Sequence, residues 1–152
     1  MKKKVVLGIL AIGIMAMLIV IMRKSSVNVI QSKKSDADIV ISDNSFIQET
    51  NDIYLNTDDY VDKSVNMEGY IYVYSDDDGV DHYAVVRNTP GCCGSDGLAG
   101  LDIYSDFGYP EAGAWVEITG AIKKDTINGM DCPIIYLTDM VEKEEGKKFV
   151  TN

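Results

Sequence analysis

The chain has 152 residues and a formal net charge of −10, and its charges are unevenly distributed. A chain of this length has room for one compact domain besides its amino-terminal segment. Five basic residues lie in the first 24 positions, so residues 25–152 carry nine lysine and arginine residues against all 24 acidic ones, a net charge of −15. A field of that sign repels phosphate backbones, which argues against a nucleic-acid ligand.

An uninterrupted apolar run extends from Val5 to Met22, with Lys2–Lys4 before it and Arg23–Lys24 after it. At a rise of about 1.5 Å per residue, such a run is just long enough to cross the hydrocarbon core of a bilayer. A cleaved secretory signal peptide is the competing interpretation, but the small-x-small triplets lie inside the run. The sequence therefore predicts an uncleaved single-pass anchor over residues 1–24. The larger basic charge before the run places the amino terminus inside and the domain outside the plasma membrane.

Residues 25–45 mix serine, lysine and aspartate with short apolar patches, a composition typical of a spacer. The folded domain is expected to occupy residues 46–152. Residues 52–63 are predicted to form one helical turn before the first strand.

Alternation of apolar and polar residues then predicts five strands. The first and fourth carry an interior glycine, Gly69 and Gly120, which suits the sharp bends of a small barrel. This pattern predicts a mostly β domain, a five-stranded Greek-key barrel of the oligonucleotide/oligosaccharide-binding (OB) type, preceded by a single transmembrane helix. The five predicted strands cover residues 64–75, 81–88, 100–104, 114–124 and 132–144.

Three segments carry a resemblance to a known family: DYVDKSVNMEGYI at 59–71, RNTPGCCGSDG at 87–97 and WVEITG at 115–120. They resemble the barrel domain in the carboxyl-terminal half of YcgQ-type membrane proteins, which accompany permeases, and a looser group of exported anticodon-binding-like barrels. The resemblance implies an OB-like domain and a transporter or envelope protein as partner. Two features depart from it: YcgQ-type proteins have several membrane spans, and Cys132 lies outside the family motif.

Two adjacent cysteines, Cys92 and Cys93, lie in a glycine-rich loop that also contains Asp96. Adjacent cysteines rarely bond to each other, because the resulting ring strains the disulfide geometry. Three interpretations remain open. One cysteine could form a disulfide with Cys132, the pair could act as a redox switch, or the thiolates could bind a zinc-like ion together with His82, Asp96 and Cys132.

Two further features concern aromatic residues. His82 is the only histidine, so an imidazole ligand or general base would have to be this residue, although a hydrogen-bonded structural role is more common. Tyr70, Tyr72 and Tyr74 share the polar face of the first strand. Such a stripe could stack bases or sugars, or it could cover the barrel beneath the amino-terminal segment.

No complete catalytic or dinucleotide-binding motif occurs in the sequence, which favours a non-enzymatic protein. The leading hypothesis is an extracytoplasmic accessory domain that holds a zinc-like ion or a protein partner through the loop at 89–98. One alternative is a thiol-based redox protein in which Cys92 or Cys93 is the reactive sulfur. Another is a structural domain whose tyrosines dock an envelope protein.

Overall fold

The computed structural model describes residues 36–91 and 96–151. For Asp96 it describes the backbone only. The predicted anchor (1–24), the larger part of the predicted spacer, Cys92 and Cys93 lie outside the described residues. Across 36–91 and 96–151, no helix is both long and apolar enough to cross a membrane.

Strands dominate the described part of the chain, as the sequence predicts. Two short helices precede the long strands. The elements are β1 (Ile39–Val40), α1 (Phe46–Leu55), α2 (Thr57–Tyr60), β2 (Ser64–Ser75), β3 (Asp81–Pro90), β4 (Asp96–Tyr104), β5 (Trp115–Ile127) and β6 (Met130–Glu142).

Strands β2 to β6 close into a barrel. The sheet order is β1-β2-β3-β4-β6-β5. Because β5, at the end of this order, also pairs with β2, the sheet closes on itself. The β4–β6 pair is parallel, whereas β2–β3, β3–β4, β2–β5 and β5–β6 are antiparallel. This connectivity is that of a five-stranded Greek-key barrel of the OB type, and it confirms the predicted fold class of the domain.

Closure of the barrel depends on a change of partner within β2. Its first half, Ser64–Tyr70, pairs with β5, and its second half, Tyr70–Ser75, pairs with β3. At Gly69, next to the change of partner, a Cβ atom would lie 2.7 Å from the carbonyl oxygen of Val86. Only glycine fits such a close backbone approach without displacing the neighbouring strand, which explains the interior glycine.

The core lies inside the barrel and beneath α1. Phe46 and Ile53 of α1 are fully buried and join the inward-facing apolar residues of the strands. Burial of one helix face in this way accounts for a short helix that would be marginal in isolation. The buried strand residues in this cluster include Val65, Met67, Ile71, Val85, Leu101, Ile103, Val116, Ile118, Ile122 and Ile135.

The folded domain begins before residue 46. Ile39 and Val40 pair with the start of β2 as a parallel strand, and Ile41 is buried in the core. The Asp38 carboxylate accepts hydrogen bonds from the backbone nitrogen and hydroxyl of Ser64, at 2.9 and 2.7 Å. Residues 38–45, for which the composition predicts a spacer, are therefore part of the domain.

Arg87 is the largest fully buried side chain, with 2% of its surface exposed. Its guanidinium lies over the ring of Phe46, 4.8 Å from the centroid, and over the ring of Trp115, at 5.1 Å. Its Nε donates to the carbonyl oxygen of Glu68 at 2.8 Å, and its Nη1 forms an ion pair with Asp43. One side chain thereby links the segment before α1 to β2, β3 and β5.

We predict that Arg87→Ala lowers the free energy of unfolding by about 3 kcal/mol, because it leaves a cavity between two rings and removes a donor to a backbone carbonyl. Urea unfolding of the full-length chain, followed by circular dichroism, measures the change. The matched control is Lys123→Ala, which removes a cation from an exposed ion pair with Asp62 and should cost less than about 1 kcal/mol. Equal losses in the two variants would contradict the role assigned to Arg87.

Candidate functional site

An open groove lies on the outer face of β2, β3 and β4 and is bounded by α1. Its volume is about 310 Å³. Strand register explains its lining, because Tyr72, Ala84 and Asp102 are direct neighbours across the three strands and therefore point to the same side. We call this feature the outer groove. Its lining residues are Asn51, Tyr54, Tyr72, Tyr74, Ala84, Val86, Leu98, Ala99, Gly100, Leu101 and Asp102.

Asp102 lies at the end of the outer groove, and 8% of the residue's surface is exposed. The Tyr54 hydroxyl, from α1, donates to its Oδ2 at 3.0 Å. The Tyr74 hydroxyl, from β2, donates to its Oδ1 at 2.8 Å. A buried carboxylate requires such donors to offset the loss of water, so Asp102 connects three elements of the domain.

Both tyrosines of this network hold their protons more tightly than a free tyrosine does. Burial is the main cause and raises the pKa of Tyr54 and of Tyr74 far above the ordinary value, and the adjacent Asp102 carboxylate raises both further. A hydroxyl that stays protonated at neutral pH remains a donor to Asp102. The network is therefore a fixed feature of the folded domain.

A second cavity, of about 240 Å³, adjoins the Asp102 network on the side of the β5–β6 turn. It is lined by Tyr54, Tyr74 and Asp102 together with Ile127, Asn128, Met130 and Cys132. The Cys132 thiol donates to the carbonyl oxygen of Asp125 at 3.6 Å. Burial and then the charge of Asp102 raise the pKa of this thiol, so it is a poor nucleophile at neutral pH.

His82 is held in a structural contact near the same end of the barrel. Its Nε2 lies 3.0 Å from the Asp76 carboxylate, and its ring stacks on Tyr74 with 5.4 Å between the centroids. Asp76 also accepts from the backbone nitrogens of Asp78 and Val80 and so closes the β2–β3 turn. The hydrogen bond from His82 is the main cause of the lowered pKa of Asp76.

The described members of the predicted metal set do not lie together. Asp96 pairs with Pro90 at one end of the β3–β4 hairpin, whereas His82 lies eight residues along β3, a distance of about 27 Å along an extended strand. Among the side chains described in 36–91 and 97–151, no three His, Cys, Asp or Glu residues are grouped to hold a metal ion. His82 and the backbone of Asp96 therefore lie at opposite ends of the β3–β4 hairpin, and the metal set, which includes Cys92 and Cys93 outside the described residues, remains a prediction.

The described residues do not support the disulfide interpretation, which pairs Cys132 with a cysteine outside them. Cys132 is a free thiol. It lies on β6, two residues before Ile134, which pairs with Asp102 in the second half of β4. A disulfide would require the Cα atom of Cys92 or Cys93 within about 7 Å of that of Cys132, and both of those cysteines lie outside the described residues.

Two residues of the Asp102 network were not identified from the sequence, Tyr54 and Asp102. Tyr54 lies in a segment that was predicted only to contain one helical turn. Asp102 was one of 24 acidic residues, although it falls in the middle of an otherwise apolar segment, LDIY. That position was the available signal, because a carboxylate there needs donors from elsewhere in the fold.

We predict a pH dependence that identifies the network. Below about pH 10 its contribution to stability is fully present, since tyrosines are protonated in both the folded and the unfolded chain. Above that pH the unfolded tyrosines ionise while Tyr54 and Tyr74 keep their protons, so the free energy of unfolding falls. In the double variant Tyr54→Phe/Tyr74→Phe this fall should be less steep, as measured by urea unfolding at a series of alkaline pH values. Equal slopes in variant and parent would contradict the assignment.

Comparison with protein families gives a match that spans most of the chain. The DUF1980 C-terminal domain family matches residues 21–150. Comparison with curated proteins gives no match.

Two solved structures are similar over about half of the chain. The N-terminal domain of PriB protein from Thermoanaerobacter tencongensis is 15% identical, with a TM-score of 0.32, and the match covers 54% of this chain and 97% of that one. A small single-stranded DNA-binding protein from Streptomyces coelicolor is 13% identical, with a TM-score of 0.33, over 54% of this chain and 94% of that one. Because the family match spans most of the sequence, the chain belongs to the DUF1980 C-terminal domain family.

Proposed function

We propose that this chain is a non-enzymatic binding domain of the cell envelope, held at the outer face of the plasma membrane by its amino-terminal segment. The observation that carries the proposal is the outer groove with the Asp102 network at its end. In OB-type barrels, ligands bind on the face of the second and third barrel strands and on the adjoining turns. The corresponding strands here are β3 and β4, which supply much of the groove.

The chemistry of the outer groove supports binding rather than catalysis. Both oxygens of Asp102 accept hydrogen bonds, and the tyrosines that donate them keep their protons at neutral pH. A general acid or base must instead exchange its proton near the working pH. These groups are therefore suited to hold the geometry of a binding site.

The charge of the domain supports a ligand other than nucleic acid. Proteins that bind single strands combine aromatic platforms with a basic groove that follows the backbone. The outer groove has the tyrosines, but its lining residues include no lysine or arginine. Phosphates would also meet a domain with a net charge of −15 over residues 25–152.

Thiol labelling in intact cells tests the location and the groove together. In a background with serine at 92, 93 and 132, Leu98→Cys places a thiol in the groove and Phe107→Cys places a control thiol on another exposed surface. The parent side chains are 46% and 57% exposed. Both cysteines should react with a membrane-impermeant maleimide without lysis, because the domain is outside. The ratio of the labelling rate of Leu98→Cys to that of the control should be lower in cells than in purified protein. The reason is that a resident ligand shields the groove in cells.

Two outcomes would contradict the proposal separately. Labelling of both cysteines only after lysis would reverse the orientation. A ratio of labelling rates that is the same in cells and in purified protein would contradict an occupied groove.

A second candidate function is the binding of a zinc-like ion by Cys92 and Cys93. It is favoured by the fixed ends of their loop, since Thr89 pairs with Gly97 and Pro90 with Asp96. A connection of this length keeps two adjacent thiols close to the end of the β3–β4 hairpin. A protein partner that binds this loop, such as a transporter or another envelope protein, would approach the same end.

We predict that reduced full-length protein binds about one zinc ion and that Cys92→Ser/Cys93→Ser abolishes the binding. The controls Cys132→Ser and His82→Ala should leave it unchanged, because His82 lies at the other end of the β3–β4 hairpin and Cys132 lies on β6 beside the Asp102 network. Metal analysis after dialysis measures the stoichiometry. Loss of zinc in either control, with Cys92 and Cys93 intact, would contradict this arrangement.

A further inference from the structure

We propose that the outer groove binds a small organic cation, an ammonium or guanidinium compound, with Asp102 as its counter-charge. The inference deepens the proposed function and rests on it, since it names the ligand class of the same groove. Four properties of the groove support it: its hydrogen-bonding character, its ring faces, its electrostatic field and its size.

The hydrogen-bonding groups of the Asp102 network favour a ligand that donates. A tyrosine hydroxyl has a single hydrogen, and the hydroxyls of Tyr54 and Tyr74 both direct it to Asp102. Each hydroxyl oxygen is left with lone pairs only. The network therefore presents acceptors to a ligand, which suits the N–H groups of an ammonium or guanidinium ion.

The tyrosine rings supply a second attraction for a cation. Tyr72 and Tyr74 lie nearly parallel with 6.3 Å between their centroids, and Tyr72 is 40% exposed. The face of an aromatic ring attracts a cation within about 6 Å of its centroid, and the attraction grows when the ion is partly desolvated. The small floor residues Ala84, Val86 and Gly100 leave room for methyl or methylene groups beside these rings.

The electrostatic field at this end of the barrel is negative. The pKa values of Tyr54, Tyr74 and Cys132 are all raised, chiefly by burial and in each case also by the charge of Asp102. The lining residues of the groove and of the adjoining cavity include no lysine or arginine to balance that charge. A field that disfavours new negative charge favours a bound positive one.

The size of the groove favours a free small molecule over a protein side chain. A volume of about 310 Å³ is at the lower end of the range for small-molecule sites. A metal ion fits less well, because it would have to displace both tyrosine hydroxyls from Asp102 and would find no further described carboxylate in the lining. We therefore assign the site to a compound of a few carbon atoms that carries one positive nitrogen group.

The test is calorimetric titration of the full-length chain in a maltoside detergent, which contains no ammonium group. The probes are choline, ethanolamine and methylguanidine, with 3,3-dimethylbutanol as the neutral counterpart of choline. At least one cation should bind about tenfold more tightly than the neutral compound. Asp102→Asn should weaken that binding about tenfold or more, whereas Asp139→Asn, which removes the same charge from an exposed position on β6, should have little effect.

Tyr72→Ala provides an independent variant, because its side chain is partly exposed and its removal leaves the bonds to Asp102 in place. It should also weaken binding of the cation. The inference is overturned if no cation binds at millimolar concentration, if the neutral compound binds equally well, or if Asp102→Asn and Asp139→Asn behave alike. Tighter binding of a lysine amide than of the three small cations would overturn the assignment to a free small molecule.

These failures are distinguishable from failure of the proposed function. If the neutral compound binds and Tyr72→Ala weakens its binding, the groove is a binding site but its ligand is not selected by charge. If the labelling experiment in cells shows an empty groove, the proposed function fails whatever the purified protein binds.

Discussion

The guanidinium group of Arg87 lies between the rings of Phe46 and Trp115, and its position constrains much of the domain. Arg87 belongs to β3, Trp115 begins β5, and Phe46 begins α1, so the contact fixes the start of the helix against the barrel. A buried cation needs acceptors for its donors, and here the carbonyl of Glu68 accepts from Nε and the carboxylate of Asp43 accepts from Nη1. The outer groove depends on this anchor, because α1 forms its wall and supplies Tyr54.

Barrel closure and the groove follow from the same strand. β2 leaves β5 and joins β3 near Gly69, and the tyrosines beyond that point lie on the outer face. Tyr74 can therefore reach across β3 to Asp102 on β4, while Tyr54 reaches the same carboxylate from the helix. Three elements that are distant in sequence thus meet at one charge. A polar network of this kind is stable only when every member is satisfied, which accounts for a fixed geometry at an otherwise open surface.

The sequence predicted the barrel well because alternation is a local signal that β2 to β6 all show, and because Gly69 and Gly120 mark the two bent strands, β2 and β5. It did not predict the burial of Arg87, because the two ring partners of this residue lie 41 and 28 positions away in the sequence. The available signal was that Arg87 is in phase with the inward-facing Val85. It also missed β1, since a strand of two residues has no detectable period. In the predicted metal set, chain proximity placed His82 and Asp96 near the cysteine loop, but the β3–β4 hairpin separates His82 from Asp96 by most of the length of β3.

An aromatic groove on an OB-type barrel could suit a nucleic acid or an organic cation. The acidic composition disfavours the first and favours the second. For a nucleic acid, the tyrosines would provide stacking but the field would oppose the backbone, and stacking alone is worth only about 1 to 3 kcal/mol per base. For an organic cation, the same tyrosines provide ring faces and the same field adds to the attraction. Asp102 strengthens the second case, because its carboxylate accepts from two tyrosine hydroxyls and the lining places no lysine or arginine beside it. A carboxylate held in a fixed position beside ring faces is a specific attraction for one class of ligand, which a solvated acidic surface would not provide.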